Sequence, residues 1–241
     1  MRVNLAGSAP SAVGELMDDP AATEEMLRPN LADLGRINRF TGSTHLVVTF
    51  LDRLLPLWRR ARTFGAPLSL LDVATGGADI PRAVARWAAR RGVAVRIVAL
   101  DRHPVTARIA AADSAAFPEI EVVRADARAL PFRDGAFDAC LCSIALHHLA
   151  PGDRPGLLRR LDRLGRLGFF VVDLVRSPAA LAGVWLLTRC FRTAFIRSDG
   201  PRSVRRAYSR AEYRALVTAA GIPGLTVRRV PGFRVALERL G

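Results

Sequence analysis

Five short apolar runs recur between residues 68 and 173, and they leave this chain few folds to choose from. They are Leu68–Val73, Val95–Asp101, Ile120–Val123, Phe137–Ser143 and Leu167–Asp173. Each is nearly continuous in apolar residues rather than alternating, as in strands buried on both faces. Helical stretches separate most of them: one from near Pro81 to Arg91 with Gly92 as its stop, an alanine-rich one from Pro104 to about Ala116, and one near Arg154–Leu164. Strand, turn and helix in repetition predict a parallel sheet covered by helices on both faces, an α/β architecture.

The flanks read differently. Residues 1–12 read as disordered, and from Val13 to about Phe64 the apolar spacing is helical, broken by Pro20, Pro29, Gly42 and Pro56 into two or three helices. Gly65-Ala66-Pro67 closes that segment, so the expected division is 1–66 for a disordered start with a helical cap and 67–241 for the main domain. Beyond the fifth strand the pattern predicts a helix from about Pro178 to Ile196, an Arg/Ser/Gly-rich loop, and a helix opened by Ser209. Glu212 follows three residues later, the arrangement of a capping box. Two last strands, near Leu225–Val230 and Phe233–Glu238, meet at Pro231-Gly232 and must be antiparallel if they pair.

A length of 241 residues suits one such domain. Cys140, Cys142 and Cys190 are too few and too irregularly spaced for a metal framework, and they suggest reduced thiols in the cytoplasm. The residues before Asp18 lack an apolar segment of signal-peptide length, and Pro178–Leu187 is too short to span a bilayer. All 36 basic residues are arginine, so a P-loop lysine and a Schiff-base lysine are excluded. The net charge of +14 is uneven: residues 150–241 carry +12 of it. That excess suits an anionic substrate, a nucleic acid or an acidic partner, and equally a solvated arginine-rich surface.

The chemistry concentrates at the strand ends. Leu70–Asp79 delivers a buried acid, Asp72, into a turn rich in Gly and Ala, where the backbone can approach a ligand and a helix N-terminus follows. An acid at the mouth of that turn would repel a pyrophosphate and suits a ligand bearing an amino group or a sulfonium. The alternative is an ordinary strand–helix turn. Asp101, at the second strand's end, can accept both hydroxyls of a ribose or cap the next helix. Asp126 can accept from an adenine amino group, with the Ala127 N–H beside it, or can belong to a surface turn. In an open sheet these tips share one crevice.

These residues resemble the class I S-adenosylmethionine-dependent methyltransferases, in the subgroup of the quinone-biosynthesis enzymes. The resemblance rests on Leu71–Ala78, Ala99–Asp101, Ala125–Phe132 and Phe137–Leu149, with a looser match over Ser203–Glu212. It implies a Rossmann-like, seven-stranded, mostly parallel sheet with the last strand antiparallel. It places Asp72, Ala74, Gly76 and Ala78 around the methionine part of the cofactor, Asp101 and Arg102 at the ribose, Asp126 and Ala127 at the adenine, and Ser143 beneath the transferring methyl. Ala74 and Ala78 stand where the family usually has glycine.

Methyl transfer needs placement above all, with a base where an oxygen or nitrogen acceptor must lose a proton. His147 and His148 follow the fourth strand and are the candidate bases, with a purely structural role as the alternative. His45 and His103 are isolated, and no metal is expected. Leu34–Gly42 puts polar groups into an apolar helix and reads as a lid or as a capped helix end. Arg189, Arg192, Arg197, Arg202, Arg205 and Arg206 could dock an anionic acceptor or face solvent. The expected function is methylation of a small aromatic, quinone-like or polyketide-like molecule at oxygen or carbon. The alternatives are RNA methylation, for which no added RNA-binding module is visible, and a non-catalytic cofactor-binding or regulatory protein on the same fold.

Overall fold

The computed structural model describes residues 15–63, 65–191 and 193–241. The disordered start expected over residues 1–12, and Val13, Phe64 and Arg192, lie outside them. Seven strands form one sheet in the order β3-β2-β1-β4-β5-β7-β6. These are β1 (Leu68–Val73), β2 (Val95–Asp101), β3 (Ile120–Arg124), β4 (Phe137–Ser143), β5 (Gly165–Leu174), β6 (Thr226–Val230) and β7 (Arg234–Leu240). The first five pair in parallel, and β7 joins β5 and β6 antiparallel, so the expected mostly parallel, Rossmann-like sheet is the one observed.

Alternation along the strands sorts the core into two layers. Leu70, Ile97, Leu141, Phe170 and Ala236 face α2 (Ser43–Ala61) and α3 (Asp79–Arg90), with the Phe50 and Phe170 rings stacked at 5.2 Å. Leu71, Val98, Cys140, Phe169 and Leu237 face α5 (Arg154–Leu164) and α8 (Arg210–Ala220). Within the expected cap, α2 is thus part of a covering layer. By contrast α1 (Glu24–Phe40) lies over the strand tips, packing Leu27 and Leu31 on Ile109 of α4 (Pro104–Asp113).

The capping box forms as the spacing predicts: Glu212 N–H donates to Ser209 Oγ, and the Glu212 carboxylate accepts from Ser209 N–H. The helix expected over 178–196 is instead two, α6 (Pro178–Thr188) and α7 (Ala194–Arg206), and the expected arginine-rich loop is helical. Gly200 explains why that stretch reads as a loop. A Cβ there would come within 2.7 Å of Thr188 Cγ2, so glycine serves helix–helix contact here rather than a turn. No helix among the described residues is long and apolar enough to cross a membrane.

Candidate functional site

The sheet order reverses between β1 and β4, and a crevice opens beyond the carboxyl ends of the strands there, where open α/β sheets bind ligands. One half is made by the tips of β1, β2 and β3. After β1 the backbone takes left-handed conformations at Ala74 (φ 57°), Gly76 (φ 56°) and Ala78 (φ 56°). The two alanines thus adopt the geometry that glycine adopts freely, at a cost of about 1–2 kcal/mol each. The turn is pinned from outside: Thr75 N–H donates to Leu100 O at 2.9 Å, and Gly76 N–H donates to Asp101 Oδ2 at 3.0 Å. Asp101 also accepts from His103 N–H at 3.0 Å. His103, not Asp101, caps α4, through its Nδ1.

Asp101, Arg102, Asp126, Ala127, Ala74, Gly76 and Ser143 all line the crevice. Asp72 and Ala78, expected beside the ligand, lie behind its wall. Ala78 is fully buried under α3, and the Asp72 carboxylate is engaged by the Thr75 hydroxyl at 2.6 Å. Burial, added to by the charges of Asp79 and Asp101, pushes the Asp72 carboxyl up to about 7. Asp79 lines the crevice instead, holding Asn38 Nδ2 of α1 at 3.1 Å. The sequence reading missed it, although it opens the helix after the turn. Asp126 is bound by the Arg128 guanidinium, which holds its carboxyl below the usual range.

The other half is built by β4, β5 and distant segments. Ser143 Oγ is buried with no protein partner. Ile144 beside it sits at φ 53°, an outlier for a β-branched residue, with its N–H donated to Val172 O. His147 is buried. Its Nδ1 lies 2.6 Å from Asp173 Oδ1 at the end of β5, and its backbone N–H reaches Asp173 Oδ2 at 2.8 Å. Its Nε2 lies 3.5 Å from Glu15 Oε1, an ion-pair rather than a hydrogen-bond separation. Burial opposes the imidazolium, but Asp173 and then Glu15 outweigh it and raise His147 to about 9. His148, partly exposed, places Nδ1 2.9 Å from Asp18 Oδ2 and Nε2 3.7 Å from Glu15 Oε2.

Arg206 donates to Asp18 and to the His148 carbonyl, while buried Asp199 accepts from Leu16 and Met17 N–H. Residues 15–19 are thereby tied across the crevice mouth. Among the described residues, Glu15, His147 and His148 form the one group whose donor atoms could share an ion, all within 4.8 Å of one another. Each histidine already faces a carboxylate, and Arg206 stands 3.9 Å from Glu15.

Glu15, Asp18, Asp173 and Asp199 were all missed. Only Asp173 had a local signal, an acid closing an apolar strand as Asp72 and Asp101 do. Leu31, Leu34 and Asn38 of α1 line the crevice. Of the arginines at 189–206, Arg206 joins this site directly and Arg202 lies 3.5 Å from the Asp199 carboxylate, while Arg197 turns to Phe191 O.

Residues 70–168 match a family described as a methyltransferase domain. No curated protein matches the chain. Among solved structures, a SAM dependent methyltransferase from Aquifex aeolicus aligns over 91% of this chain and 97% of its own at 15% identity, TM-score 0.58. The citrinin polyketide synthase CMeT domain aligns over 82% of this chain and 52% of its own at 12% identity, TM-score 0.61. The plantazolicin methyltransferase BamL, in complex with a triazolic desmethylPZN analog and SAH, aligns over 83% and 70% at 12% identity, TM-score 0.59. At such identities the likeness is one of fold, the α/β Rossmann-like fold of S-adenosylmethionine-dependent methyltransferases.

Proposed function

We propose that this chain transfers a methyl group from S-adenosylmethionine to a small molecule, aromatic, quinone-like or polyketide-like, at oxygen or carbon. The observation that carries the reading is the Asp101 carboxylate. It holds the left-handed turn at Gly76 while facing the same crevice as the unpartnered Ser143 Oγ. Asp101 has oxygen lone pairs left for ribose hydroxyls, and Asp126 with Ala127 N–H offers an acceptor and a donor for an adenine edge. Asp79 and the field of Asp72 supply negative charge for a ligand with an ammonium and a sulfonium. The citrinin polyketide synthase domain and the plantazolicin methyltransferase among its structural neighbours agree with a small-molecule acceptor.

When bound, the cofactor supplies a methyl already activated as a leaving group's substituent, so the protein's task is placement. Ser143 and Ile144 form the floor between the cofactor half and the histidine half. His147, cationic below about pH 9 and closed off by Glu15, orders the wall and is no base. His148 reaches the crevice and is the candidate to take a proton from an acidic hydroxyl.

The reading is tested by calorimetry with S-adenosylhomocysteine, followed by turnover of methyl-labelled donor against a panel of phenols, hydroquinones and polyketides. Binding that Asp101→Ala weakens about a hundredfold is expected. Absence of binding by the wild type would overturn the proposal. Labelling of bulk RNA in place of the panel would move the acceptor to nucleic acid, with a strong salt dependence.

A further inference from the structure

Helix α6 is built inside out. Its outward residues are Pro178, Ala179, Ala182, Trp185 and Leu186, spaced as one helical face and without a polar group, and Trp185 and Leu186 are 50% and 66% exposed. Helices of ordinary globular surfaces turn charges outward, so an apolar outer face marks an interaction site. Two more large apolar side chains extend it. Phe233, in the turn between β6 and β7, packs on α6 at Gly183 and is 42% exposed. Its backbone is held at φ 57°, a conformation a bulky residue adopts only under constraint. Next to it Arg234 donates to the carbonyl and hydroxyl of Thr41, which fixes the end of α1, where Phe40 is 82% exposed.

The charge around this patch has one sign. From residue 174 to residue 211 the only acid is Asp199, and it is buried on the backbone of Leu16 and Met17. Arg189 and Arg197 are exposed, as is Arg39 beside Phe40. The Arg189 guanidinium lies over the Trp185 ring, 4.5 Å from its centre, which joins an aromatic anchor to a cation. An apolar helix face bearing tryptophan and rimmed by arginine has the composition of an interfacial membrane anchor, lying on the bilayer and not crossing it.

We propose that α6, Phe233 and Phe40 seat the protein on the surface of an anionic lipid bilayer. The seat adjoins the crevice: the inward residues of α6, Leu181 and Val184, pack on the same buried cluster as Ile144, which lines the crevice floor beside Ser143. An amphiphilic molecule resident in the bilayer would therefore meet the protein at the wall next to the unpartnered Ser143 hydroxyl. The seating itself does not depend on methyl transfer.

Vesicle sedimentation tests it, using phosphatidylcholine alone and phosphatidylcholine mixed with phosphatidylglycerol. Intrinsic fluorescence gives a second readout, because Trp58 and Trp87 are buried and only Trp185 can change its surroundings. Binding to the mixed vesicles with a blue shift is expected. It should fall about tenfold or more in Trp185→Ser/Leu186→Ser, since these side chains lose their burial in the bilayer. It should also fall in Arg189→Glu and weaken with salt. Circular dichroism and S-adenosylhomocysteine calorimetry on the same variants should match the wild type. No binding to mixed vesicles would overturn the proposal, as would binding indifferent to these substitutions. A wild-type dimer that the double substitution dissolves, without vesicle binding, would overturn it in favour of a second copy as the occupant.

Discussion

The two halves of the crevice are made in different ways. The half formed by β1, β2 and β3 is local: Thr75 leans on Asp72, Gly76 on Asp101 and Arg128 on Asp126, each between residues at or beside strand tips. The half formed by β4 and β5 is assembled from far apart in the chain, with Asp173 under His147, Glu15 and Asp18 against the histidines, and Arg206 and Asp199 holding residues 15–19 from α7. The first half offers acceptors toward the crevice, whereas the second spends its charges on itself. A ligand-binding surface and a structural clasp thus face each other, and they should respond to mutation in opposite currencies.

The largest effect is expected in the clasp. Asp173→Ala leaves a buried imidazole and two backbone N–H groups without their partner, and should cost about 3–5 kcal/mol of folding stability in denaturant unfolding. The pH dependence gives the sign. His147 is raised from 6.5 to about 9, so its stabilisation is complete below 6.5 and fades as pH rises through about 9. Asp173→Ala should flatten that decline. A variant as stable as wild type at pH 6 would show the clasp to be idle.

On the opposite wall, Asp101→Ala should act chiefly on affinity. It removes a charged acceptor for the ribose and frees Gly76, which should weaken S-adenosylhomocysteine binding about a hundredfold by calorimetry. Equal losses of affinity in Asp101→Ala and Asp173→Ala would erase the distinction between surface and clasp.

A smaller effect separates the halves by pH window. The Asp72 carboxyl is raised from 3.8 to about 7, so its ionisation costs the folded state nothing below 3.8 and its full penalty above about 7. Asp72→Asn should therefore be the more stable protein at pH 8, with the gap closing toward pH 4. A cationic cofactor favours the ionised carboxylate, so affinity for S-adenosylmethionine should rise with pH through about 7, by at most about tenfold per pH unit. The Asn variant should lose that slope. Cofactor affinity constant from pH 6 to 8 in the wild type would detach Asp72 from the site.

The same contrast explains what the sequence could show. Continuous apolar runs and the acids that end them are written within ten residues of each other, so the sheet and the placing of Asp101 and Asp126 at its edge were legible, whereas Ser143 came only with the resemblance. Burial of Asp72 was not, because the same β-strand tip can aim an acid at a ligand or at a neighbouring hydroxyl. The clasp was illegible for a stronger reason: Glu15 and Asp199 are 184 positions apart, one in a stretch that reads as the helical cap and the other in one that reads as a loop, and only folding makes them neighbours. That α7 runs through Gly200 was equally hidden, because a glycine in an arginine- and serine-rich stretch reads as loop and here works as a helix contact.

The smallest expected effect concerns the alanines that stand where the resemblance leads one to expect glycine. Ala74→Gly relieves left-handed strain of about 1–2 kcal/mol but adds unfolded-chain entropy of about 0.4–1 kcal/mol and removes a half-buried methyl. The terms nearly cancel, so stability should stay within about 0.5 kcal/mol of wild type. Because the turn already has the required geometry, S-adenosylhomocysteine affinity should change little. Ala74→Val should fare far worse, since a β-branched residue resists φ 57°. If glycine at 74 instead raised affinity by orders of magnitude, the alanine would be obstructing the crevice, and a binding protein that had surrendered catalysis would become the better account of this half.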